Sequence, residues 1–258
     1  MKKLSIIIVH YRNDRETKTL LDHLLNKSNL PFEHEIILVL NSELQLNENT
    51  VSKIKLIDSK GNPGFARAVN SAYRISTGEN FLLLNPDIVP QKNSIDKMYR
   101  FFISTKEIGI LLPKLILPDG KRQFSVRRFY KFKDILYSRI AIKRKKYPHF
   151  YCEHLMTDIE DDKYSEVDWG VGACMMINGD FIKKTGTIFD PRFYLYFEDV
   201  DLCLRCRKRG FRVIYNPNIK FFHHHRRESR SFLKKAAIFH LSSFIKFYLK
   251  YLGLSQRN

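Results

Sequence analysis

Leu4-Ser5-Ile6-Ile7-Ile8-Val9-His10-Tyr11 begins with an apolar run that ends abruptly in polar residues. A short run of branched side chains without alternation reads as a strand buried on both faces. The same run after Met1-Lys2-Lys3 also resembles a secretory leader, but it is brief, reaches Arg12 at once and lacks a small-residue cleavage site. We therefore read a first strand of a parallel sheet in a cytoplasmic protein.

Working outward, residues 35–40, 54–57 and 80–84 form further short apolar runs. Residues 14–26 and 65–77 lie between them with helical spacing, and Asp14 suits the first helix cap. Strands alternating with helices predict an α/β chain with helices on both faces of the sheet. Such sheets bind ligands at the carboxyl ends of their strands. The residues there are His10-Tyr11, Asn41-Ser42, 58–64 and Asn85-Pro86-Asp87.

The second half is less regular. Residues 108–117 and the turn at Pro118-Asp119-Gly120 read as strand and reversal. Residues 121–149 are basic and aromatic, a helical or mobile insertion. Residues 167–177 and 211–215 are apolar stretches, and 199–209 reads as a helix. The tail, 232–254, reads as an amphipathic basic helix.

The chain has 258 residues, 44% of them hydrophobic, enough for a packed core. No run reaches the roughly 20 apolar residues of a membrane span. Cys203 and Cys206 share a helix face with no second close pair, so buried free thiols fit better than zinc. The net charge of +18 points to a polyanionic partner: nucleic acid, an anionic membrane surface or phosphorylated substrates.

Four stretches carry chemistry. Asn85-Pro86-Asp87 is either a plain turn or a carboxylate delivered by a buried strand, able to hold a hard cation on a diphosphate. Gly61-Asn62-Pro63-Gly64 precedes a helix, so backbone N–H groups can approach a ligand; it is neither G-x-G-x-x-G nor a P-loop. Glu198-Asp199-Val200-Asp201 crowds acids at a helix start, either as caps or as a base with a raised pKa. His223-His224-His225-Arg226-Arg227 offers imidazoles for a metal and guanidinium groups for phosphate.

In this order the segments resemble the inverting glycosyltransferases of family 2, with a Rossmann-like GT-A fold. They look most like the rhamnosyltransferase branch of bacterial surface polysaccharide synthesis. Residues 5–13, 62–70, 83–87, 168–177, 189–209 and 223–229 carry the likeness. It implies a GT-A domain at 1–230, a central mostly parallel sheet and a basic helical appendage at 231–258. Residues 1–113 would bind the nucleotide sugar and 114–230, with the insertion 121–149, the acceptor.

The resemblance also implies roles. Tyr11, Asn41, Asn62, Gly64, Asn70 and Asn85 would line the nucleotide-sugar pocket. Asp87 would hold a divalent metal, magnesium or manganese, with His224, although His223 or His225 could serve. Asp199, paired with Glu198, would be the base. Trp169, Gly170 and Gly172 would shape the acceptor side. The family often has Asp-Asn after the second strand; here Leu40-Asn41 stands there, and a D-x-D motif is reduced to Asn85-Pro86-Asp87.

The implied partners are a nucleoside-diphosphate sugar, with deoxythymidine-diphosphate rhamnose as the candidate, a glycan or lipid-diphosphate-linked acceptor, and an anionic membrane surface rather than nucleic acid. Lysines of 121–149 and 231–254 would bring the protein to the inner face of the membrane. The alternatives are a basic nucleic-acid-binding module and a catalytically inactive scaffold of the same fold.

Overall fold

A computed structural model describes residues 3–130, 148–160, 162–224 and 230–252. In chain order the elements are β1 Leu4–His10, α1 Asp14–Asp22, β2 His34–Leu40, α2 Glu48–Val51, β3 Lys55–Asp58, α3 Phe65–Ile75, β4 Asn80–Leu84 and β5 Ile88–Pro90. There follow α4 Ser94–Ser104, β6 Ile108–Ile116, β7 Val126–Arg127, α5 His149–Leu155, β8 Ser165–Glu166, β9 Trp169–Gly170 and β10 Cys174–Asn178. The chain continues with α6 Gly179–Lys183, α7 Glu198–Lys208, β11 Arg212–His223 and α8 Arg230–Leu252.

The main sheet has the order β3-β2-β1-β4-β10-β6-β11-β5, with β8 added on β11. β1 through β4 pair in parallel. β10 enters antiparallel between β4 and β6, whereas β6 and β11 pair in parallel. Every residue of β1 is buried. Its side chains alternate between two cores: Ile7 and Val9 join Ala66, Val69 and Ala72 of α3, and Ile6 and Ile8 join Leu20, Leu21 and Met98. Each such side chain contributes about 1.5–3 kcal/mol. Both cores also take residues from β10 and β11, so the two halves of the chain share them.

Several expected boundaries move. The residue before α1 is Asn13, not Asp14, and Asn13 Oδ1 accepts from Tyr11 N and Thr17 Oγ1. Asp14 instead puts negative charge in the first turn, beside Glu16. α1 ends at Asp22 and widens into a π-turn over His23–Lys27. The apolar stretch 167–177 divides into β9 and β10 around a turn at Gly172, whose N–H is drawn off the sheet by Asp199. The expected short strand at 211–215 runs on to His223. Of the basic insertion, 131–147 lies outside the described residues; its flanks form β7 and α5.

The four cysteines are free, with Cys174, Cys203 and Cys206 buried. Burial pushes the Cys206 thiol up to about 12, so it is inert as a nucleophile at neutral pH. The tail helix α8 lies against the segment leading into α7. Phe197 stacks on Phe244 and Phe247 at 5.8 and 5.5 Å, and Ser243 Oγ donates to Leu195 O at 2.8 Å.

Candidate active site

The carboxyl ends of β1, β2, β3 and β4 and the start of α7 meet along one rim. Asn41, at the end of β2, is buried. Its Nδ2 donates to Asn62 Oδ1 at 3.2 Å, and Gly64 N donates to the same oxygen at 3.1 Å. Asn62 thus pins the loop after β3 to the end of β2. Asn41 Oδ1 is buried without a hydrogen-bond partner among the described residues, an acceptor left open in the cleft.

Gly64 is required by geometry. Its φ is +93°, and a Cβ there would stand 2.6 Å from the Tyr194 ring and backbone oxygen. Phe65 N donates to Tyr194 O at 2.9 Å. The Asn62–Gly64 loop is therefore closed by Tyr194, a residue from the distant acidic segment. Burial and the neighbouring Tyr11 raise the Tyr194 pKa, which puts Tyr11 on the same wall.

Asn70 has partners of its own. It is buried in α3, its Nδ2 donates to Phe189 O at 2.7 Å, and its Oδ1 accepts from Phe189 N at 3.0 Å. Both ends clamp the 189 backbone, a structural role for the side chain beside the one the resemblance implies.

After β4, Asn85 N donates to Ala173 O at 2.8 Å, and two residues on stands Asp87, 19% exposed at its side chain. Of the described histidines here, His223 is the one whose side chain meets Asp87. His223 Nε2 lies 3.3 Å from Asp87 Oδ2, and its Nδ1 lies 2.6 Å from Gln123 Oε1. His223 is buried, while His224 is exposed and meets Asp87 through its backbone N–H. Successive strand residues point to opposite faces, so only one of two adjacent histidines can share the Asp87 side. His225, Arg226 and Arg227 lie outside the described residues.

Carboxylate and imidazole suit a divalent cation whose other ligands are diphosphate oxygens. No group of three or more His, Cys, Asp or Glu able to hold a metal occurs among the described residues. Two donors from the chain leave room for the oxygens of a bound diphosphate, and in that sense Asp87 and His223 fit the group.

Asp199 stands in the first turn of α7. Phe197 before it takes a left-handed φ of 66°. Val200 N and Gly172 N donate to its two oxygens at 2.8 and 3.1 Å. Burial raises the Asp199 pKa, while these N–H groups and Arg127 pull it back. Glu198, beside it, is buried, and its Oε2 has no partner among the described residues. Burial and then the Asp199 charge push Glu198 well above the usual carboxylate range. Crowding alone accounts for the first, larger part of neither shift; desolvation leads in both.

Two hydrogen bonds connect the acids. Asn85 binds Ala173, and the adjacent Gly172 binds Asp199. Asp87 and Asp199, 112 positions apart in the sequence, therefore stand on one rim of the sheet.

Trp169 and Gly170, expected on the acceptor side, are buried, with Trp169 Nε1 donating to Arg128 O at 3.0 Å. Above Trp169 lie Tyr130, at 5.5 Å between ring centroids, and the Arg127 guanidinium, at 5.2 Å. Burial raises the Tyr130 pKa to about 12, with Asp199 among the neighbouring charges. Sequence reasoning missed Arg127, Tyr130 and Tyr194, and named His223 only as an alternative to His224. The alternation of buried and exposed residues over 218–223 was the available signal for His223.

The chain matches the family model described as "Glycosyltransferase like family 2" over residues 2–237. It is 30% identical to the rhamnosyltransferase WbbL of Escherichia coli K12, covering 98% of this chain and 95% of that protein. It is 26% identical to the N-acetylglucosaminyl-diphospho-decaprenol L-rhamnosyltransferase of Mycobacterium tuberculosis, over 66% of this chain and 59% of that one. Among solved structures, GalNAc-T7 with UDP, GalNAc and Mn2+ superposes with a TM-score of 0.65 at 12% identity. That match covers 88% of this chain but less than half, 45%, of GalNAc-T7. A mannosyltransferase from Pyrobaculum calidifontis, in complex with GDP-Man and Mn2+, gives 0.61 at 14% identity, covering 95% of this chain and 64% of that one. At such identities the likeness is one of fold, a GT-A glycosyltransferase fold. With a family model spanning nearly its whole length, the chain belongs to glycosyltransferase family 2 and is a glycosyltransferase.

Proposed function

We propose that the chain moves a sugar, with rhamnose as the candidate, from a nucleoside diphosphate to a hydroxyl of a lipid-diphosphate-linked glycan, with inversion, in cell-surface polysaccharide synthesis. The observation that carries the reading is the shared rim: the Asp87–His223 pair on one side and half-buried Asp199 on the other, linked through Asn85, Ala173 and Gly172. Support for the sugar and the lipid comes from the names of the two rhamnosyltransferase relatives.

In this reading Asn41, Asn62 and Gly64 hold the nucleotide, with Tyr11 and Tyr194 as its wall. Asp87 and His223 would hold magnesium or manganese, which when bound supplies positive charge to the diphosphate. Asp199 takes the proton of the acceptor hydroxyl at its carboxylate. The hydroxyl oxygen bonds to the anomeric carbon while the bond from that carbon to the diphosphate oxygen breaks on the opposite face. One displacement gives inversion. The N–H groups of Gly172 and Val200 keep the carboxylate aimed, and its raised pKa makes it a better base than a free aspartate.

The test is transfer from deoxythymidine-diphosphate rhamnose to a diphosphate-linked N-acetylglucosamine lipid, followed by product linkage analysis. An inverted product formed with manganese and lost on chelation is the expected result. A retained configuration, or full turnover without any divalent ion, overturns it.

A further inference from the structure

The tail helix α8 has two apolar faces, and the core accounts for only one. Its inner face, with Phe239, His240, Phe244 and Phe247, stacks on Tyr194, Tyr196 and Phe197. Lys250, which the sequence alone suggested for membrane contact, is turned inward. Its Nζ bonds Asp201, and it lies 2.8 Å from Asp190 Oδ2. Lys246 Nζ donates to Arg192 O at 3.0 Å while its side chain stays exposed.

The outer face carries Ile238, Leu241, Ile245, Tyr248 and Leu249, which are 66, 42, 48, 52 and 64% exposed. The 3- and 4-residue spacing aligns them in one stripe about 17 Å long at 1.5 Å per residue. Of the eleven large apolar side chains exposed among the described residues, these five are the ones gathered on a single element. Single exposed apolar residues are ordinary, whereas a contiguous stripe marks an interaction surface.

Charge decides the occupant. From Arg230 to Asn258 the sequence has six Lys and Arg, of which Lys250 is paired inward, and no Asp or Glu. A second copy would set cationic helices side by side, with no acid on either flank to pair with, in chains of net charge +18. An anionic lipid surface supplies both the apolar layer and the counter-charge. α8 is not apolar enough to cross a bilayer. Its shape is that of a helix lying in the interface, with one face about 5–10 Å deep in the headgroup boundary.

We propose that the outer stripe of α8 inserts into the surface of an anionic membrane, while its inner face holds the active-site segment 194–201 directly above the lipid. This deepens the reading of a lipid-linked acceptor and rests on it for its purpose, although binding is measured without turnover. α8 is then a bracket between bilayer and catalytic helix: the stripe takes the lipid, and the Phe and Lys250 contacts take the enzyme.

The test is sedimentation of the full chain with phosphatidylcholine vesicles, with and without phosphatidylglycerol. Wild type should bind the anionic vesicles and release them as salt rises. The triple variant Leu241→Ser, Ile245→Ser, Leu249→Ser should bind at least about 10-fold more weakly, from the lost apolar burial. It should melt with wild type and transfer sugar equally to a water-soluble acceptor. Should the triple variant melt early, Leu249→Glu alone repeats the test at a side chain 64% exposed.

Vesicle binding unchanged by these variants overturns the proposal, as does a wild type that ignores both vesicles. A wild-type dimer that the triple variant converts to monomer, seen by light scattering, assigns the stripe to a second copy instead. Vesicle binding without sugar transfer would sink the proposed reaction and leave the stripe standing; transfer without vesicle binding would do the reverse.

Discussion

Helix α7 carries three carboxylates in its first turn, and the protein treats them in opposite ways. Asp201 is fully buried and surrounded by partners: Arg205 Nε at 2.7 Å, Tyr251 Oη at 2.7 Å and the Lys250 ammonium. Asp190, across the same cluster, has burial working to raise its pKa, but Arg192 and Lys250 hold it well below the usual range. Glu198 and Asp199, three and two residues earlier, meet only backbone N–H groups and the more distant Arg127, and their pKa values rise. A carboxylate given cations becomes a strut. One given desolvation and a few N–H groups has the raised pKa that the proposed base needs. The four lie within twelve residues of each other, so position in sequence does not separate the roles.

The largest effect that can break this contrast is Asp199→Asn. It should lower turnover by about 100- to 10,000-fold, the range for loss of a general base, with the melting temperature little changed. Steady-state kinetics check it, and unimpaired turnover would move the base elsewhere. The pH profile sharpens the same point. Asp199 must be deprotonated to act, so kcat/KM should climb with pH through a value above the ordinary aspartate pKa of about 3.9. Arg127→Gln removes a charge that lowers this pKa, so that limb should move to still higher pH.

Next in size is the strut. Lys250→Met leaves Asp201 with Arg205 and Tyr251 only. We expect a loss of about 2–4 kcal/mol, somewhat under the full cost of stranding a buried charge. Calorimetry should show it as a melting point lower by roughly 4–16 °C for a chain of this size. Asn70→Ala should cost about 1–3 kcal/mol, because the Phe189 backbone groups lose their partners, and should leave nucleotide affinity unchanged. A large rise in donor KM with unchanged stability would return Asn70 to the nucleotide pocket.

The smallest effect has the opposite sign. Glu198 is easier to protonate in the folded chain than in the unfolded one, so its contribution to stability is full below the unfolded pKa of about 4.3. That contribution declines as pH rises toward the folded value. Glu198→Gln cannot ionise, so it should melt with wild type near pH 4 and above it, on the order of a few degrees, at pH 7. Thermal scans across that window check the sign. A variant less stable than wild type at neutral pH would mean that Glu198 has a partner as good as those of Asp201.

Much of this was legible in the order of residues. β1 and β4 are short branched runs with no alternation, and the physics of a strand buried on both faces gives that pattern whatever surrounds it. Asp87 and Asp199 could be singled out as candidates because one directly follows a buried strand and the other stands at the first turn of a helix, in segments that resemble the family. His223 and His224 were not separable from the local run, since strand alternation fixes their sides only once the strand is known to continue from Arg212 to His223. The clamp made by Asn70 was not legible, because its partner, Phe189, lies 119 residues away.

The sequence by itself determined the layered sheet and the family, and it singled out the acids proposed for the site, because hydrophobic period and residue type act locally. Only the tertiary structure decided which polar groups are occupied. It directed Lys250 inward, clamped Asn70, set His223 rather than His224 against Asp87, and left the outer face of α8 bare. Those outcomes depend on which desolvated group meets which partner across long stretches of chain, and no local pattern encodes that meeting.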